Sequence, residues 1–417
     1  MKLRSILSAA LLVAAFAFAQ AQPKVKTGIE VLRDRGFEGL IGKRVGILTN
    51  PSGIDSQFNS TIDIIAAQPG IKLVALYGPE HGVRGDAYAG AAVTDEKDPA
   101  TGVQVFSVYG KYREPSAEML KGVDVVVYDI QDVATRSYTF ISSLGLMMRA
   151  CAKNNVEVMV LDRPNPINGL KVEGNLMEDG YFSFVGEFKI PYVYGLTVGE
   201  LAMLINEEGL NCGEKGDEAP LKCKLTVIPM EGWTRDMTYA QTGLPWVLPS
   251  PNIPTAQSAI DYPSSGLIGE YQNYLHIGIG YTLPFQTFAA EFIDADALKA
   301  KLDSYNIPGT IFRTIHYKPM SGAYQGKLLH GVQYAYSDYD KAVLTLTQFY
   351  VMQAVHELYP EVNPFAETSR NRMFDQVCGT DFVRRTMEKS FKVSDIYDYW
   401  MKDVKSFTAL SAKYKIY

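Results

Sequence analysis

Three short segments place acids beside arginine. They read Gly78-Pro79-Glu80-His81-Gly82-Val83-Arg84, Asp129-Ile130-Gln131-Asp132 running on to Arg136-Ser137-Tyr138, and Asp162-Arg163-Pro164-Asn165 with Glu173 downstream. Glycoside cleavage needs such groups. A carboxylic acid protonates the leaving oxygen, and a second carboxylate or a substrate group acts on the far side of the anomeric carbon. Glu80, in a rigid Gly/Pro turn, is the expected general acid/base. Asp129, Asp132 and Glu173 are candidates for the second carboxyl, with His81 and Tyr138 tuning or orienting. Arg84, Arg136 and Arg163 suggest an anionic group on the substrate, because a guanidinium fork matches a carboxylate. The plainer alternative is that these arginines pair with Asp86, Asp132 and Asp162, and that Asp129 and Asp162 merely cap turns.

The elements around these segments explain why they should meet. Short β-branched runs at residues 44–49, 72–77, 103–108, 123–128 and 156–161 alternate with helical patterns at 57–67, 115–120, 135–153 and 197–208. Thr197 followed by Glu200 has capping-box spacing. Such alternation predicts an α/β fold with a mostly parallel sheet covered on both faces. Ligands of an open parallel sheet bind beyond the carboxyl ends of its strands, and the three segments all follow strand ends. Residues 225–229 read as one more strand. Residues 243–285 are rich in Pro, Gly and Ser and read as a loop-dominated seam. Beyond the seam, strand-like runs (287–293, 310–317, 332–336) and helical patterns (295–305, 341–359, 394–414) predict a smaller α+β domain.

Export is expected from the first residues. Met1-Lys2-Leu3-Arg4 precedes an uncharged apolar run to about Phe18, then Ala19-Gln20-Ala21, which has signal-peptidase spacing. The division is therefore a signal peptide over 1–21, a catalytic domain over 22–250 and a completing domain over 251–417, in a periplasmic or secreted protein that leaves the membrane once cleaved. The net charge of −6, without basic tracts, argues against a nucleic-acid partner. No Cys-x-x-Cys, Walker loop or Gly-x-Ser-x-Gly occurs, so no cofactor or structural metal is expected. Cys212 and Cys223 flank a polar stretch and are either a short disulfide loop or two thiols. Two rival functions fit parts of the pattern: a periplasmic sugar-binding protein without catalysis, and a metal-dependent hydrolase using His81, Asp129 and Asp162.

Taken together, Gly46-Ile47-Leu48-Thr49-Asn50-Pro51, Tyr77 through Gly85, Tyr128 through Thr139, Leu161 through Pro166, Val172-Glu173-Gly174 and Pro249-Ser250-Pro251-Asn252-Ile253-Pro254 resemble the NamZ-like exo-β-N-acetylmuramidases. The resemblance implies a Rossmann-like first domain and a site in the cleft with the second. It implies release of terminal β-linked N-acetylmuramic acid, or a related amino sugar, from peptidoglycan fragments, a saccharide partner. Arg84, Arg136, Arg163, Asp162, Asn165, Ser250 and Asn252 are the expected substrate-binding residues. Ile279 stands where many relatives carry Arg, and Gln333 through Tyr336 depart from a segment that usually holds His. Both departures bear on sugar preference.

Overall fold

The computed structural model of the protein describes residues 25–85, 96–271 and 273–417. The expected signal segment, 1–21, and Asp86 lie outside the described residues. Six strands form a parallel sheet: β1 (Arg44–Thr49), β2 (Lys72–Gly78), β4 (Gln104–Ser107), β5 (Val125–Asp129), β6 (Glu157–Leu161) and β7 (Leu225–Ile228). A two-residue strand, β3 (Glu96–Lys97), adds an antiparallel edge. The order β3-β4-β2-β1-β5-β6-β7 runs outward in both directions from the β1–β5 pair. That pair is the topological switch point, where such sheets open a crevice at their carboxyl edge. All five residues of β5 are buried, as a strand covered on both faces requires.

Helices α1 (Gly28–Asp34) and α2 (Thr61–Ala66) lie with the apolar cluster of one sheet face. On the other face α3 (Phe140–Lys153) and α4 (Val198–Glu207) join a cluster that continues into the second domain. The capping box of α4 forms: Thr197 Oγ1 accepts from Glu200 N at 3.3 Å, and Glu200 Oε2 accepts from Thr197 N at 3.0 Å. The second domain has an antiparallel sheet, β8 (Thr287–Ala290), β9 (Thr310–Tyr317) and β10 (Leu329–Tyr336), in the order β8-β10-β9. Around it stand α5 (Ala256–Ser265), α6 (Ala295–Ser304), α7 (Leu346–Leu358), α8 (Thr368–Cys378), α9 (Phe382–Ser390), α10 (Val393–Met401) and α11 (Val404–Ser411).

The expected architecture holds, and the departures have local causes. The helix expected from 135 begins at Phe140, because Thr135 bridges to Val193 and Arg136 N donates to Tyr192 O at 2.8 Å. The pattern at 115–120 forms turns only, with Leu120 N donating to Ser116 O at 3.3 Å and Lys121 N to Glu118 O at 3.2 Å. The Pro-rich seam contains α5, capped where Thr255 Oγ1 accepts from Ser258 N at 3.2 Å. The pattern at 394–414 breaks at Asp403, whose carboxylate accepts from Leu176 N at 3.0 Å. Cys212 and Cys223 are two thiols, the former donating to Gly209 O at 3.4 Å and the latter buried beside Asn206.

Candidate active site

Glu80 leaves the carboxyl end of β2 in a turn closed by Gly82 N donating to Pro79 O at 3.0 Å. His81 adopts φ 76° and Gly82 φ 75°. Glycine holds that left-handed backbone freely. A histidine does so only when its surroundings impose it, at roughly 1–3 kcal/mol. The turn carries Glu80 and His81 to the wall of a cavity of about 560 Å³ at the carboxyl edge of the sheet. Tyr109, just beyond β4, donates its hydroxyl to Glu80 Oε1 at 3.0 Å. Burial, then the neighbouring Glu80 charge, pushes the Tyr109 phenol up to about 12, so it stays a donor.

The loop after β5 supplies Ser137 and Tyr138. Ser137 Oγ lies 3.0 Å from Tyr192 Oη and 3.1 Å from Tyr262 Oη. The Tyr138 ring meets Phe140 and Tyr262 edge-on, and Tyr262 meets Phe285 likewise at 5.0 Å. Ser250 and Asn252 enter from the seam, and Met373 and Gln376 from α8. Arg113 lies 4.3 Å over the Phe184 ring, and its Nη1 is 2.6 Å from Glu214 Oε1. Its buried Nε–H has no acceptor among the described residues. The wall thus combines aromatic rings, two carboxyl groups (Glu80 and Glu214) and one guanidinium.

A family model described as exo-beta-N-acetylmuramidase NamZ, N-terminal, matches residues 45–257, and its C-terminal counterpart matches residues 260–417. The chain belongs to the NamZ family. It is similar to the peptidoglycan beta-N-acetylmuramidase NamZ of Bacillus subtilis (strain 168), 43% identical over 95% of this chain and 92% of that protein. Two solved structures from Bacteroides fragilis, both described as DUF1343 family proteins, share the fold. One is 50% identical with a TM-score of 0.89, the other 28% identical with a TM-score of 0.73. Each match covers 94% of this chain and 99% of the other.

Of the residues singled out from sequence, Glu80, His81, Tyr138, Ser250 and Asn252 line this NamZ cavity. The other eight are engaged away from it. Asp129 is the buried partner of Arg163, at 2.5 and 3.0 Å, and also accepts from Thr61. Asp132 accepts from Tyr194 and from Ala134 N, and faces a crevice of about 10 Å³, too small for a sugar ring. Glu173 accepts from Leu344 N, Thr345 N and Thr345 Oγ1 at 3.1, 2.9 and 2.9 Å, capping the start of α7. Asp162 holds the start of α4 through Thr197 and Gly199 and accepts from Tyr417 at 2.6 Å. Asn165 ties Leu196 O to Ile167 N.

The arginines are likewise placed elsewhere. Arg84 pairs outside the cavity with Asp98 and Asp63, at 2.8 and 2.9 Å. Arg136 is fully buried and donates to four carbonyls, Asn175 O, Ile190 O, Val377 O and Cys378 O. Two of these are among the last carbonyls of α8, which have no partner within the helix. Burial without a carboxylate pulls the Arg136 guanidinium down to about 10. His81, Asp129 and Asp162 are not gathered as a metal enzyme would need. Among the described residues no His/Cys/Asp/Glu group of three or more is placed to hold a metal ion.

Tyr109 and Arg113 were legible by the same strand-end rule, applied to the segment after β4. Glu214 lies in the loop between Cys212 and Cys223, where composition carries no catalytic signal. Tyr262, Phe285, Met373 and Gln376 arrive from the second domain, which no local pattern foretells.

Proposed function

We propose that the chain releases terminal β-linked N-acetylmuramic acid from the non-reducing end of peptidoglycan fragments, with Glu80 as general acid. The observation that carries this reading is the cavity itself, which Glu80 and Glu214 line together with Arg113 and a set of aromatic rings. Glu80 protonates the glycosidic oxygen, and Tyr109 fixes its rotamer through Oε1. Glu214 supplies the second carboxyl. Tyr138, Tyr262 and Phe285 offer apolar surface to the sugar ring, and Arg113 meets the lactyl carboxylate. Membership of the family and the activity named for the Bacillus subtilis relative support the substrate class.

The test is a product assay on a defined N-acetylmuramyl-β-1,4-N-acetylglucosamine disaccharide and on its reducing-end-labelled tetrasaccharide. The reading expects one free N-acetylmuramic acid per molecule from both, leaving N-acetylglucosamine from the disaccharide and an N-acetylglucosamine-terminated trisaccharide from the tetrasaccharide. Internal cleavage of the tetrasaccharide, or binding without turnover, contradicts it. Export to the periplasm or medium belongs to the same reading and is supported by the opening segment; a mature chain beginning near residue 22 is the expected result of N-terminal sequencing.

A further inference from the structure

A second cavity, of about 360 Å³, opens between the loop after β6, helix α5 and the end of β10. It shares no lining residue with the first. Gln257, Ile260 and Asp261 reach it from one face of α5, at i, i+3, i+4 spacing, whereas Tyr262 faces the first cavity. Its volume is that of a small ligand site rather than a packing defect.

The lining has a definite chemistry. Gln257, Gln286 and Gln333 offer amides, which both donate and accept, as sugar hydroxyls do. Arg313 Nε donates to Gln333 Oε1 at 2.7 Å, which fixes that amide and leaves its NH₂ as the donor. Asp261 is buried, 2% exposed, and accepts from Gln257 Nε2 at 2.9 Å. Burial pushes its carboxyl up to about 7, so near neutrality it can donate as well as accept. Tyr336 and Tyr339 stand edge to face at 5.7 Å, and the Tyr339 hydroxyl is anchored on Ile167 O at 2.8 Å. They supply rigid aromatic surface of the kind that suits a sugar's apolar face. No Lys, Arg or His is among the described lining residues, which disfavours an anionic ligand.

We propose that this cavity is a second carbohydrate site, for an uncharged, hydroxyl-rich sugar unit, separate from the site that holds the scissile bond. The proposal stands whether or not Glu80 is the acid. The probe is N,N′-diacetylchitobiose, a neutral amino-sugar disaccharide, titrated into the full chain by calorimetry. The expected result is saturable binding at about 1 mM, weakened tenfold or more by the double change Gln257→Ala/Gln333→Ala. Ala335→Trp, which fills the rim from an exposed position, gives the same loss without removing a buried contact. Three results overturn the proposal. They are no binding by the unmodified chain, binding unchanged by both Gln257→Ala/Gln333→Ala and Ala335→Trp, and tighter binding of cationic glucosamine than of the neutral probe.

Discussion

Arg113 and Arg84 separate two ways an arginine can matter. Arg113 lines the cavity with its guanidinium against Phe184, and Glu214 takes only Nη1. Arg84 spends its fork on Asp98 and Asp63. Arg113→Ala is expected to lower kcat/KM on muramic acid glycosides by about 10–100-fold while barely touching a glucosamine analogue without the lactyl group. Arg84→Ala is expected to change both sugars equally and to act through stability. Steady-state kinetics on the paired substrates decides between them; equal losses for Arg113→Ala would remove its carboxylate role. Glu80 and His81 were legible as cavity residues because Pro79-Glu80-His81-Gly82 is a local turn at a strand end. Arg84, Arg136 and Arg163 read as ligand groups because a buried ion pair and a bound anion ask for the same residue type. Only their partners across the fold tell them apart.

At the scale of elements, the same residues explain how the second domain is held. Glu173 caps α7, and Arg136 takes the last carbonyls of α8, the helix that presents Met373 and Gln376 to the cavity. Opposite ends of two helices are thus bound by a carboxylate and a cation, each at the end its charge suits. Glu173→Ala leaves two buried amides and the Thr345 hydroxyl without an acceptor. It is expected to destabilise by about 2–4 kcal/mol. Thermal unfolding measures this, and a Tm unchanged within error would contradict the clasp. The strands were legible because apolar, β-branched runs between Gly and Pro need no distant information. The ends of α3 and α7 were not, since Tyr192 and Glu173 decide them from elsewhere in the chain.

For the whole molecule, one continuous apolar cluster runs from the first sheet into the second domain, so both should unfold together. Buried acids then shape stability against pH. Burial raises the Asp132 carboxyl from 3.8 to about 6. Its contribution is fully present below pH 3.8 and is lost as pH rises through about 6, where the folded state must ionise it. Asp132→Asn keeps the shape and removes the ionisation. Relative to the unmodified chain it is expected to gain about 2–3 kcal/mol on going from pH 4 to pH 8, read by urea unfolding at each pH. It is also expected to keep most activity, because Asp132 lies outside the cavity. A difference independent of pH would show that Asp132 is already ionised at pH 4.

The central claim is that Glu80 protonates the leaving oxygen. Its most direct test is the rate of N-acetylmuramic acid release from the defined disaccharide by Glu80→Gln, beside a thermal unfolding curve of the same protein. The account predicts an unchanged Tm and a kcat lower by about a thousandfold or more. A folded Glu80→Gln protein that retains most of its hydrolysis would contradict it.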